Sequence, residues 1–314
     1  MLAKLINEEL KNSSSPFSLQ ELADLCKYNV SVEIETTRKM NPEFNLEDFL
    51  SDLLAFEKYV SKDDRLKYEE SKNKIFDLII SNTSYDYDDS YLKHAVFINT
   101  VAHLVKTPSK LSIITTNYDT LIEDAADSIG FTVIDGFTFA HRPQFDSDMF
   151  EWNLVKDIEN IKTRELEYKK NIINLLKLHG SLTWERNDNR IYRKDKSDVK
   201  NPIMIFPSSN KYMQSYQEPY FELFVKFQEL LKRPNTLLIT AGFSFADNHI
   251  SQMITQAITH NKSLAVLVSD HNIDQKNKNW IQLRDLMDKN YQIAFLKATM
   301  NSDLTEYLGE YYDD

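Results

Sequence analysis

The chain has 314 residues, 42% of them hydrophobic, and its 37 Lys plus Arg stand against 48 Asp plus Glu for a net charge of −11. That length and apolar content suffice for one large or two moderate globular domains. The acidic balance argues against tight duplex nucleic-acid binding by this chain alone, which needs cations to release counterions. The single cysteine, Cys26, excludes a disulfide framework and a paired-cysteine zinc site.

The opening stretch, MLAKLINEEL, is short and amphipathic, with acidic residues where a secretory segment would be apolar. No uncharged apolar run of about eighteen residues follows, so the expectation is a soluble, cytoplasmic protein without membrane contact. LQELADLCKY, NLEDFLSDLLAFEKYVS, LKYEESKNKIFDLIIS and YLKHAVFINTVAHLVK place apolar residues three and four apart, which predicts helices, with Ser18 and Asn45 as candidate N-caps. Residues 1–108 therefore read as a helical part with no obvious chemistry.

From Leu111 the pattern changes. LSIITT, the helical NYDTLIEDAADSI stopped by Gly130, and FTVID form a strand, helix, strand unit, which implies a parallel sheet. INLLKLH, IMIF, TLLITAG, SLAVLVS and YQIAFL read as further strands, with helices near 218–233, 246–260, 277–289 and 301–311. Pro219 suits a first helical turn. Residues 109–314 are thus expected to form a doubly wound, Rossmann-like α/β domain with a mostly parallel sheet. The long connection 136–171 is irregular in pattern and holds His141, Arg142 and Trp152. Residues 186–200 are strongly charged and read as an exposed hairpin tip, and the tail EYYDD reads as a frayed end.

Ligands of open parallel sheets bind beyond the carboxyl ends of the strands. Three segments put polar residues there: Thr116, Asn117 and Asp119 after the first strand, His179-Gly180-Ser181 after another, and Gly242, Ser244 and Asp247 after a third. Taken singly, each has a plain reading. Asn117, Asp119, Ser244 and Asp247 are ordinary caps and turn residues, and His179 fits a buried, hydrogen-bonded histidine. Their common edge distinguishes them, because independent caps need not supply an amide, an imidazole and a glycine turn together.

In that order and spacing, TTNYD, KLHGS and AGFSFADNHI resemble the sirtuin-like domains of bacterial antiphage defence proteins. The likeness continues through GFTFAHRPQF (136–145) and IFPSSNKY (205–212), and within the family it is strongest to the subunit that partners a HerA-type ATPase. The resemblance implies NAD as substrate, cleaved at its nicotinamide–ribose bond, with Asn117 and His179 as catalytic residues. It also implies that Thr116, Asp119, His141, Arg142, Gly180 and Ser181 border the ligand, and that Gly242, Ser244 and Asp247 do so on the adenosine half. It further implies a homo-oligomer and an ATPase partner. No zinc is expected, since deacylating sirtuins carry a four-cysteine zinc module and this chain has one cysteine.

One feature departs from the family. Dinucleotide-binding folds cradle the pyrophosphate with a glycine turn after the first strand. Here the first glycine is Gly130, and SSSPFSLQEL resembles what normally follows that turn, so the first strand and its glycine loop read as missing or replaced by residues 1–12. A catalytically weak nucleotide-binding or scaffold subunit is the alternative that this raises.

Overall fold

Ser18 opens a well-capped helix: its hydroxyl accepts the Glu21 N–H, and the Glu21 carboxylate accepts the Ser18 N–H in return. Such a reciprocal box satisfies two amides that a helix start otherwise leaves bare, and loss of the cap residue typically costs about 0.5–2 kcal/mol. The computed structural model describes residues 2–34, 39–158, 166–205, 218–274 and 277–309.

The amino-terminal part consists of α1 (Leu2–Asn12), α2 (Leu19–Leu25), a minimal hairpin of β1 (Glu33–Ile34) and β2 (Lys39–Met40), α3 (Leu46–Phe56) and α4 (Arg65–Thr83). Ile6, Leu10, Leu22, Phe49, Leu53, Tyr68 and Ile75 form its buried core. The next helix, α5 (His94–His103), packs elsewhere: its Ala95 and Ile98 lie against the α/β part. That part begins with β3 (Leu111–Thr115), α6 (Leu121–Ser128) and β4 (Thr132–Ile134), followed by β5 (Val155–Asp157), β6 (Leu166–Tyr168) and β7 (Ile172–Lys177). The hairpin β8 (Gly180–Asn187) and β9 (Arg190–Arg193) and then β10 (Pro202–Met204) come next. The chain continues through α7 (Tyr220–Lys232), β11 (Leu237–Ala241), α8 (Asn248–His260), β12 (Ala265–Asp270), α9 (Ile281–Asp288), β13 (Ile293–Lys297) and α10 (Leu304–Gly309).

The expected α/β class and parallel pairing are present. β7 pairs in parallel with β3 on one side and β4 on the other, and β12 pairs in parallel with β11 and β13. β7 is buried at every position, as a central parallel strand covered on both faces should be. One core spans both sheets, joining Ile134 and Leu176 to Val266, Val268 and Ile293 through Leu223 and Phe227 of α7 and Ile250 and Ile254 of α8.

Three expectations change in detail. The parallel strands form two separate three-stranded sheets, β4-β7-β3 and β11-β12-β13, not one continuous sheet. IMIF does not join them: β10 runs antiparallel on β8, in a third sheet. The connection 136–171 is partly ordered by a 3-10 turn (Ser147–Glu151) and the antiparallel pair β5–β6. The charged stretch does contain a hairpin turn, at Asp188 between β8 and β9, and Pro219 stands one place before α7 as its N-cap. Residues 206–212 of IFPSSNKY, the last two residues of the helix expected at 301–311 and the tail 310–314 lie outside the described residues. Residues 2–12 form helix α1, and among the described residues no strand pairs with the outer edge of β3 or of β11. No helix among them is long and apolar enough to cross a membrane.

Candidate active site

β3 and β7 are neighbours in register, so Thr115 stands beside Lys177, and the residues that follow each strand emerge at one edge. Asn117 is exposed there, with its backbone N–H donated to the Thr115 hydroxyl (3.1 Å). Thr116 is half-buried beside it. Tyr118 turns inward, and its hydroxyl donates to the Ile205 carbonyl (2.6 Å). Ile205 donates its own N–H to the His179 carbonyl (2.8 Å), and Leu182 donates to the Tyr118 carbonyl (3.0 Å). The ends of β3 and β7 are therefore fastened to one another through the start of β8 and the end of β10.

His179 is mostly buried, and its Nε2 lies 3.2 Å from Oδ2 of Asp247. Asp247 also caps α8, its Oδ1 accepting the N–H groups of His249 (3.1 Å) and Ile250 (3.3 Å). One carboxylate thus serves two partners, the first amides of α8 and the ring of His179. His249 packs edge-on against Phe224, and burial lowers its imidazole pKa while Asp247 pulls it upward. Nothing in its spacing had marked it.

Gly180 has φ +88, and a Cβ there would sit 2.1 Å from the Ile203 carbonyl oxygen. It is a glycine because β10 crosses β8 too closely for any side chain, and because the backbone must turn directly after His179. Gly242 also has a positive φ, +67, but a Cβ would meet nothing within 4 Å. Its N–H is held by the Ser269 carbonyl (3.0 Å), so it offers open space and not a free amide. Ser244 is exposed, and its hydroxyl accepts the Ala246 N–H (3.3 Å).

The remaining residues divide. Asp119 is buried at the start of α6, where its carboxylate accepts the Leu121 N–H and its carbonyl accepts the ammonium of Lys177, a buried lysine that also pairs with Glu123 (2.8 Å). Ser181 is fully buried and bonded to Thr183 (2.9 Å), so its hydroxyl faces the interior. His141 and Arg142 are exposed and line a different cleft, of about 1280 Å³, with Asp135, Arg193, Thr120 and Glu123. Asn117, His179 and Asp247 do not line it. The structure therefore gathers Asn117, His179, Asp247 and the Gly242–Ser244 turn toward one end of the sheets, and sets His141 and Arg142 apart. Among the described residues no group of three or more His, Cys, Asp or Glu is placed to hold a metal ion.

Parallel strands flanked by helices, with an amide, a carboxylate-backed imidazole and an open glycine turn beyond their carboxyl ends, define a Rossmann-like α/β domain. The model of the SIR2-like domain family matches residues 111–296, more than half of the chain, and the chain belongs to that family. No curated protein matches it.

Proposed function

We propose that this chain hydrolyses NAD+ at the nicotinamide–ribose bond, giving nicotinamide and ADP-ribose. The observation that carries the reading is the His179–Asp247 pair beside Asn117 at the carboxyl edge of the parallel strands of a SIR2-like domain, a family compatible with NAD-related activity. Cleavage of such a bond passes through an oxocarbenium-like state, which needs a held ribose and a directed nucleophile. His179 is placed to accept a proton from water or a ribose hydroxyl as the water oxygen bonds to the anomeric carbon and nicotinamide leaves. Asp247, 3.2 Å from its Nε2, keeps the imidazole oriented. Asn117 can hold the water or the carboxamide without taking a proton. Gly242 and Ser244 fit the adenosine half, where the open space above the turn admits a ligand.

In this reading the protein is cytoplasmic and acts as a homo-oligomer with a HerA-type ATPase in antiphage defence. The test is nicotinamide release by the purified chain, alone and with that ATPase. Release in either condition that depends on His179 supports the hydrolase. A second reading, a weak or scaffold subunit, is favoured by one observation: among the described residues no strand pairs with the outer edge of β3 or of β11. ADP-ribose binding without release in both conditions selects it.

A further inference from the structure

β7, IINLLK, is buried at every position and carries one charged residue. That residue, Lys177, is 1% exposed and stands between Leu176 and Leu178, which are buried as fully. A buried ammonium costs desolvation that its partners must offset, and exchanging a buried ion pair for apolar residues of similar volume is often neutral or stabilising. Stability alone does not account for a lysine here.

Its partners offset that cost only in part. The ammonium donates to Oε1 of Glu123 in α6 (2.8 Å), while Oε2 of Glu123 is buried with no hydrogen-bond partner among the described residues, and burial holds that carboxyl's pKa above its usual value. The remaining bond is the informative one. It runs to the Asp119 carbonyl, two residues past Asn117.

The anchors of the turn that carries Asn117 can be named. Thr115, in register with Lys177 across the β3–β7 pair, accepts the Asn117 N–H on its hydroxyl. Tyr118 is held by Ile205, just past β10, and by Leu182 of β8. Asp119 is held by Lys177. Of these bonds the last is the one that starts on β7, the strand that leads two residues on to His179. Asn117 itself is exposed, so its amide takes its direction from the anchors on either side.

We infer that Lys177 is a positioning residue of the candidate site: its ammonium ties the turn that carries Asn117 to the strand that delivers His179, and so fixes the spacing of amide and imidazole. Lys177 touches no ligand in this role. The effect on turnover rests on the hydrolase reading, whereas the tether itself is a property of the chain without NAD. Misplacing a reacting group by about 1 Å can cost about a hundredfold in rate, so a loosened turn is felt in kcat.

The test replaces the pair by apolar residues, Lys177→Met together with Glu123→Leu, in the full chain. The unfolding midpoint should match or exceed the parent's. Amide hydrogen exchange should nonetheless accelerate about tenfold or more at Leu121 and Leu182, which bond to Asp119 and Tyr118, and stay near the parent's at Leu178, which bonds to Thr115 ahead of the turn. Nicotinamide release should fall about tenfold or more in kcat with little change in KM. Lys177→Met alone, in which Glu123 is free to take up a proton, should show the same local acceleration and serves where the double variant folds poorly. Unchanged exchange at Leu121 and Leu182 would overturn the inference. So would acceleration that includes Leu178 and follows a lower midpoint in both variants, or a parental kcat alongside accelerated exchange. A parent that releases no nicotinamide would sink the hydrolase reading and leave the exchange pattern to decide the tether.

Discussion

Asp247 turns one carboxylate oxygen to the His179 ring at 3.2 Å while the other holds the first amides of α8. The two jobs separate by substitution. Asparagine caps a helix about as well as aspartate, so Asp247→Asn should keep stability within about 0.5 kcal/mol, whereas Asp247→Ala should lose about 0.5–2 kcal/mol. Both should lower NAD cleavage, because both remove the charge behind the imidazole. Denaturant titration of the two variants decides the point; an equal loss in both would show that the cap is not what Asp247 contributes to stability.

Asn117 is exposed and His179 is buried against a carboxylate, so their alanine variants should differ in stability but agree in activity. Asn117→Ala should fold within about 0.5 kcal/mol of the parent, and His179→Ala should be weaker by about 1–3 kcal/mol. Each should reduce nicotinamide release by roughly a hundredfold or more, the scale of a positioned acid–base group. Parental turnover in the His179 variant would remove it from the mechanism.

The two positive-φ glycines of the site should respond differently to alanine. Gly180→Ala forces a methyl to 2.1 Å from a backbone oxygen and should cost more than the strain of its φ, which is about 1–3 kcal/mol. Gly242→Ala has only that strain, since its surroundings are open. Thermal melts should therefore rank Gly180→Ala as the more damaging, and ligand titration should find the Gly242 variant folded but weaker for ADP-ribose.

Stability should also carry a histidine signature away from the site. His94, at the start of α5, stacks edge-on with Tyr87, and burial lowers its pKa against a smaller upward pull from Asp119. The unfolded chain therefore takes up this proton more readily. The His94 contribution is complete above the unfolded value near 6.5 and is lost as pH falls below it. Unfolding midpoints from pH 7.5 to 5 should decline, and His94→Phe should flatten part of that decline. A variant with an unchanged slope would assign the loss to other groups.

Much of this arrangement is readable before folding. The runs ending at Thr115, Lys177 and Ala241 are apolar and β-branched and stop at polar residues, which marks strand ends of a parallel sheet whatever the remaining detail. The reversal of β10 is not readable, because a short apolar run has the same pattern whether it pairs parallel or antiparallel. The second role of Asp247 was hidden for a different reason. It depends on the path of the preceding turn, where Phe245 adopts φ 58, and no residue type announces that conformation. His141 and Arg142 show the converse: chemistry-bearing residues in a loop, whose position is set by Phe137 and Phe145 packing on Trp184 and not by the sheet edge.

The bonds from Tyr118 to Ile205, from Ile205 to His179 and from Leu182 back to Tyr118 make a closed frame around the site. Mechanically, Asn117 and His179 are then not two independent fittings. A tug on the chain where it leaves β10 is felt at both strand ends at once, so the amide and the imidazole shift in concert and their spacing is preserved while their aim changes. Such a linkage ties the two strand ends mechanically, so that a displacement of one is passed to the other.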